Sequence, residues 1–355
     1  MEVINVVSNP KIPLVIDLDG TLVLTDTLQE SIALFLKKNP LLNIFLLLRW
    51  FLMGKAKFKE LISKQVELEV ETLPYNQYFL DFLKEESKKG RKLILCTGAH
   101  ETIAKNVARY LNIFDEVFST SSATNLSGEN KLNCLTKRFG KEDFIYAGNS
   151  HDDIIIWRKA KEIIAVNASN TVLKKLRKIK KTFINFEKKK PSLLTWVKLF
   201  RIHQWSKNIL IFFPLIAAQQ YFNLENMLLL TLAFIIFGIC ASSTYLINDV
   251  FDIKNDRLHH NKRYRPFAAG NIPISFSLIA LLILPCAILL ASLISKNFMF
   301  LMMLYILITF CYSFYFKSIP IVDCLVLASL YTIRVVGGAI VLSSSLSFWL
   351  LAFSA

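Results

Sequence analysis

From residue 209 to residue 355 the chain is dominated by long apolar runs, and these constrain its fold more than any other feature. A run close to the twenty residues that cross a bilayer core reads as a membrane-spanning helix. Spans are expected near 209–222, 227–248, 274–294, 298–316 and 320–342, with a sixth beginning at about Leu346. Residues 1–200 mix charged and apolar side chains as a water-exposed domain does, so the 355 residues divide into two parts.

Charge orients the apolar part. The loops at 249–273 and 317–319 hold Lys254, Arg257, Lys262, Arg263, Arg265 and Lys317, whereas the connections at 223–226, 295–297 and 343–345 hold only Lys296. Cations collect on the cytoplasmic side of membrane proteins. The amino-terminal segment lacks the pattern of a signal peptide, so the first domain and the 249–273 loop are both expected in the cytoplasm. The net charge of +15 is concentrated in that loop and in residues 174–190, both flanking apolar runs. Such placement fits contact with anionic lipid and excludes nucleic acid as a partner. Residues 171–197 read as a basic linker. The six cysteines show no paired spacing, which argues against disulfides and against a cysteine metal site.

Within the first part, short apolar runs at 12–18, 93–96, 144–147 and 163–166 read as buried parallel strands. Helical segments alternate with them, which predicts a doubly wound α/β domain over residues 1–170. Residues 27–90 read as a helical cap. Within the cap, residues 40–53 fit either a buried helix, the expectation, or a helix lying on a membrane.

Asp17-Leu18-Asp19-Gly20-Thr21 closes the first strand, where open α/β sheets place their ligand crevice. Two carboxylates separated by one residue point to the same side of an extended chain and can share a Mg2+ ion. One can act as nucleophile and the other as general acid/base. Gly20 permits a turn, and Thr21 offers phosphate a hydroxyl. Thr97-Gly98 after the second strand can bond a phosphoryl oxygen, Lys131 can neutralise charge, and Asp153 in the run 148–153 supplies another metal carboxylate. In this order the motifs resemble the haloacid dehalogenase superfamily of phosphatases over residues 12–170. The resemblance implies that Asp17 becomes an aspartyl phosphate and that Asp19 protonates the leaving oxygen and activates water. It further implies that Asp17, Asp19 and Asp153 hold Mg2+ while Thr97, Gly98 and Lys131 hold phosphate. Asn149 stands where many members carry an acid. His100 and His151 lack matching ligands and read as incidental.

Asn248, Asp249, Asp252 and Asp256 recur at about one helical turn, so they are expected to share a face at a membrane boundary, beside Arg257, Lys262, Arg263 and Arg265. The acids suit Mg2+ and the cations suit phosphate. The pattern resembles UbiA-type prenyltransferases. The stretches 201–208, 245–270, 312–323 and 333–338 resemble one branch of them, the decaprenyl-phosphate phosphoribosyltransferases, over residues 198–345. The resemblance implies an all-α multi-span domain over 198–355. It also implies Mg2+ on Asp249, Asp252 and Asp256, with phosphoribosyl pyrophosphate and polyprenyl phosphate as substrates. Lys207, Asn208, Asn248, Arg257, Lys262, Arg263, Arg265, Lys317, Asp323 and Arg334 are the candidate substrate contacts. UbiA-type folds ordinarily have nine membrane helices, so a chain stopping in its sixth apolar run is expected to be truncated.

Together the two resemblances imply a multi-pass protein of the bacterial plasma membrane that makes lipid-linked pentose for the cell envelope. The first domain would hydrolyse the 5-phosphate of the transferase product. Membrane lipid is an expected partner, and a homo-oligomer is compatible with this reading. An aromatic prenyltransferase with an independent phosphatase, or a truncated protein with phosphatase activity alone, are the alternatives.

Overall fold

The protein is described by a computed structural model over residues 10–344, apart from Lys180, Thr182, Lys188, Lys189 and Tyr221. The chain divides into two compact units, Met1–Pro191 with Lys254–Ile274, and Ser192–Ile253 with Ser275–Ala355.

The first unit is built on six parallel strands: β1 Leu14–Ile16, β2 Leu93–His100, β3 Glu116–Thr120, β4 Ile145–Gly148, β5 Glu162–Val166 and β6 Phe183–Phe186. Their order is β3-β2-β1-β4-β5-β6. Leu14 lies opposite both Leu93 and Ile145, which makes β1 the central strand. Alternate side chains enter separate cores on the two faces, Leu14, Ile16, Leu93 and Leu95 on one, Val15, Ile94, Cys96 and Tyr146 on the other. Burial on both faces is why the central strands read as unbroken apolar runs. Strand order reverses between β1 and β4, so a crevice opens beyond their carboxyl ends.

Four helices lie between β1 and β2: α1 Thr27–Lys38, α2 Pro40–Phe51, α3 Lys55–Gln65 and α4 Gln77–Lys88. The Asp26 side chain accepts from Gln29 N and starts α1; Asn39 accepts from Leu42 N, with Pro40 in the first turn of α2. The expected burial of α2 is not found. Asn43 is its one buried residue, while Leu41, Phe45, Leu48 and Leu52 are 62–86% exposed. After β2 come α5 Glu101–Leu111, α6 Glu129–Phe139, α7 Ile154–Trp157 and α8 Asn170–Arg177.

Two boundaries differ from the sequence reading. The sheet runs past residue 170, because β6 pairs with β5 inside the stretch read as linker 171–197. Loop 254–274, assigned by sequence to the membrane domain, belongs to the first unit. Lys254 pairs with Glu69 at 2.7 Å, and Gly270 takes φ +70° where a Cβ would sit 2.6 Å from the Leu24 Cβ.

In the second unit, among the described residues, four helices are long and apolar enough to cross a membrane: Leu224–Phe251, Ile274–Ile294, Lys296–Phe314 and Pro320–Val341. The expected first span, 209–222, is not one helix. A 3-10 helix, Ile202–Phe212, runs instead into a short α-helix, Phe213–Ala217. The sixth run lies outside the described residues. Phe237, Phe298, Met302 and Tyr305 fill the core. Gly338 meets the Ile211 backbone so closely that a Cβ would overlap the carbonyl oxygen.

Candidate functional site

The first site gathers where β1, β2 and β4 end. One cavity of about 1190 Å³ is lined by Asp17, Asp19, Gly98, Lys131 and Asp153 from the expected set. Thr97 does not line it; the side chain is wholly buried, and its hydroxyl accepts from Ala99 N at 3.0 Å. Thr21 is wholly buried too. Thr25 lines the cavity instead, and its buried hydroxyl has no hydrogen-bond partner among the described residues.

A polar chain crosses the floor. Lys131 Nζ donates to Asp17 Oδ1 at 2.9 Å and to the Tyr146 hydroxyl at 3.1 Å, which donates to Asp153 Oδ1 at 2.7 Å. Asp153 Oδ2 accepts from Asn149 N, Ser150 N and Ser150 Oγ, so this carboxylate also shapes the loop after β4. The Asn149 amide packs over Gly20, whose φ of +73° and missing Cβ allow the approach. Sequence reasoning treated Asn149 as a lost acid; the fold places its neutral amide beside the Asp17–Gly20 turn.

Burial pushes the Asp17 carboxyl up, with Lys131 opposing and Asp153 reinforcing. Burial, then the charge of Asp26, raises Asp19 to about 8. Burial works against the Lys131 ammonium, but Asp17 and Asp153 outweigh it and raise its pKa. Lys59 of α3 was missed by the sequence reading. Its Nζ donates to Gly98 O at 2.6 Å and to Asn125 Oδ1 at 2.9 Å, and its side chain lines the cavity. Nothing in a cap helix rich in lysine marks that one. His100 is a helix cap, bonded to Ser63 Oγ and Thr102 Oγ1.

Among the described residues, no three His, Cys, Asp or Glu side chains converge closely enough to hold a metal ion alone. The oxygen donors of Asp17, Asp19 and Asn149 still fit a hard cation that keeps water or phosphate ligands. Burial disfavours ionised Asp17 even with Lys131 beside it, and such an ion would favour the ionised form.

The acidic motif does not lie on one continuous helix face. The Leu224–Phe251 helix ends with Asp252 as its cap, and a new helix covers Ile253–Leu258. In the second unit, buried Asp249 pairs with Arg201, which also stacks 4.6 Å from the Tyr245 ring. Asp252 pairs with Lys317 at 2.6 Å. Arg201 opens the stretch 201–208 and is not among the candidate substrate contacts expected from sequence. Arg334 is buried; it donates to Asn208 Oδ1 at 2.8 Å, to Leu330 O and to the Tyr305 hydroxyl at 3.3 Å. Lys207 lies 5.7 Å from the Tyr331 ring. Asn208 Nδ2 and Asp323 Oδ1 are buried without a hydrogen-bond partner among the described residues. Asn248 is partly buried one residue before Asp249.

In the first unit, Asp256 accepts from Arg265 at 2.7 Å. Arg257, expected to face substrate, is engaged elsewhere. It binds Glu30 of α1 through two bonds of 2.6 and 2.8 Å, and its Nε donates to Ala268 O. Arg263 is exposed against Tyr264, and Lys262 is partly exposed.

The fold and the two residue sets define a class, an α/β phosphatase-type unit on the same chain as a polytopic prenyltransferase-type unit. Family comparison agrees: residues 14–156 match haloacid dehalogenase-like hydrolases and residues 209–355 match the UbiA prenyltransferase family. The chain belongs to the family of the uncharacterized protein y4nM of Sinorhizobium fredii, 36% identical over 97% of this chain and 67% of that protein. A decaprenyl-phosphate phosphoribosyltransferase of Mycobacterium tuberculosis is 33% identical over 45% of this chain and 54% of its own length. The chain thus spans about half of that transferase. A probable phosphoserine phosphatase from Vibrio cholerae superposes with a TM-score of 0.36 at 17% identity, over 52% of this chain and 64% of the other.

Proposed function

We propose that the chain is a Mg2+-dependent enzyme of the bacterial plasma membrane that works on lipid-linked pentose. The UbiA domain transfers 5-phosphoribose from phosphoribosyl pyrophosphate to polyprenyl phosphate, and the hydrolase domain removes the 5-phosphate. The observation that carries the pairing is the cavity wall: Gly270, Asn271 and Pro273 line the cavity that holds Asp17 and Asp19. These residues come from a loop that the chain strings between two membrane-crossing helices, so the pocket suits a phosphomonoester presented at a membrane face. Loop and hydrolase share one unit and hence one side of the membrane. That requires an even number of crossings between them, one by Leu224–Phe251 and a second that we assign to Ile202–Ala217; the cation bias supports a cytoplasmic side.

In the hydrolase, an Asp17 oxygen attacks phosphorus as the bond to the sugar oxygen breaks. Asp19 holds a proton at neutral pH and delivers it to that oxygen. Water then attacks the aspartyl phosphate, returning a proton to Asp19 and releasing inorganic phosphate. Lys131 holds charge beside the nucleophile, and Lys59 faces the phosphoryl group. Mg2+, held by Asp17 with Asn149 or Asp153, would neutralise phosphoryl oxygens and favour ionised Asp17. In the transferase, a lipid phosphate oxygen bonds to C1 of the ribose as pyrophosphate departs. Asp249, Asp252 and Asp256 are the proposed Mg2+ ligands, and Lys207, Lys317 and Arg334 the proposed phosphate contacts.

The test uses membranes carrying the full chain with labelled phosphoribosyl pyrophosphate and polyprenyl phosphate. Asp17→Asn should accumulate the lipid-linked 5-phosphate, and Asp249→Asn should abolish both lipid products. An Asp17→Asn product profile equal to wild type refutes the hydrolase role. Absence of any labelled lipid with the wild type refutes the transferase role.

A further inference from the structure

Helix α2 turns its apolar side outward. Asn43 faces inward and donates to Phe35 O at 2.6 Å, and Trp50 stacks on Phe35 with ring centres 5.1 Å apart. The outward residues Leu41, Leu42, Phe45, Leu48, Phe51 and Leu52 are 56–86% exposed. Six large apolar side chains left open on one short helix mark an interaction surface. Its electrostatics favour an anionic surface: Lys37, Lys38, Arg49 and Lys55 flank the helix, whereas Lys57 pairs with Glu60 and Lys59 turns into the cavity.

We propose that α2 is an interfacial membrane anchor, with its outward apolar face among lipid acyl chains and the flanking cations at anionic headgroups. Twelve residues span roughly 18 Å, too short to cross a bilayer, so the helix lies in the interface plane. The cation excess matches an anionic leaflet. The unit that carries α2 also contains Lys254–Ile274, which peptide bonds hold between two membrane-crossing helices, so a lipid surface is always within the chain's reach. The anchor stands independently of the reactions assigned to either domain. It would fix the cap, and with it Lys59 of the neighbouring α3, at the membrane surface.

The test places the photo-crosslinker p-benzoylphenylalanine at Phe45 or Leu48 of the full chain in nanodiscs of phosphatidylethanolamine and phosphatidylglycerol. The control position is Asp81, exposed on α4. Both sites tolerate an aromatic because they are already exposed. Phospholipid adducts at 45 and 48, at least tenfold above those at 81, are the expected result. Adducts to a second copy of the chain, or lipid yields no higher than the control, overturn the proposal.

Discussion

Removing the Arg257 guanidinium would leave Glu30 as a buried carboxylate with nothing to neutralise it. The two side chains are 6% and 1% exposed and joined by two charged hydrogen bonds. Losing one member of such a pair costs about 3–5 kcal/mol. Protonation sets a ceiling: giving a proton to a glutamate of reference acidity at pH 7 takes roughly 3.7 kcal/mol, and at pH 5 roughly 1 kcal/mol. Glu30→Gln is different, because an arginine cannot shed its charge, so its penalty should not change with pH. The assay is hydrogen exchange of residues 254–274 and of α1 in the full chain, compared as protection factors at pH 7 and pH 5. Arg257→Ala should lose protection by about 500-fold at pH 7 and only about fivefold at pH 5, on 1.36 kcal/mol per factor of ten. Glu30→Gln should lose a similar amount at both. Unchanged protection in Arg257→Ala at pH 7, or a loss that acid does not relieve, would refute the assignment of this loop to the hydrolase unit.

In chelator, the hydrolase unit should lose stability as pH rises from about 4 to about 8. Folded Asp19 keeps its proton up to about pH 8 whereas the unfolded chain releases it near 3.8, and Asp17 is displaced in the same direction. Asp19→Asn should flatten the slope in thermal scans with chelator, and added Mg2+ should stabilise wild type most at the alkaline end; an equal slope in the variant contradicts this origin. Gly338→Ala should destabilise the membrane unit by about 1–3 kcal/mol, since the obstacle to a Cβ is the Ile211 backbone rather than a movable side chain. Unfolding in detergent checks it, and a wild-type midpoint would mean the two helices stand further apart.

What the sequence disclosed depended on burial. The runs 14–16, 93–96, 145–147 and 163–166 of the central strands β1, β2, β4 and β5 are apolar because both their faces are covered, and each was legible. Edge strands β3 and β6 were not. Four of the five residues of β3 and three of the four of β6 are only partly buried, and β6 follows a run of lysines. The Asp17–Thr21 and 148–153 motifs were legible because short spacing fixes geometry within a turn. Lys59 and the Arg257–Glu30 pair were not, since they join positions 39 and 227 residues from their partners. Composition misled at α2, where an apolar helix inside a soluble-looking stretch suggested core and the fold leaves it exposed.

The cations of the membrane half narrow by the same reasoning. Arg257 is spent on Glu30, Arg265 meets Asp256, and Arg201 and Lys317 meet Asp249 and Asp252. Arg334 differs from all four. Its partners among the described residues, Asn208, Leu330 and Tyr305, are neutral, and the rings of Tyr305 and Tyr331 lie 5.3 and 5.6 Å away. A buried guanidinium without a counter-charge is costly inside a membrane helix and marks function by default. Neutral donors and ring faces orient the charge without cancelling it. Among the buried candidate cations, then, Arg334 is the one we expect to keep most of its attraction for a phosphate in the proposed reaction, with Asn208, whose amide nitrogen has no hydrogen-bond partner among the described residues, beside it.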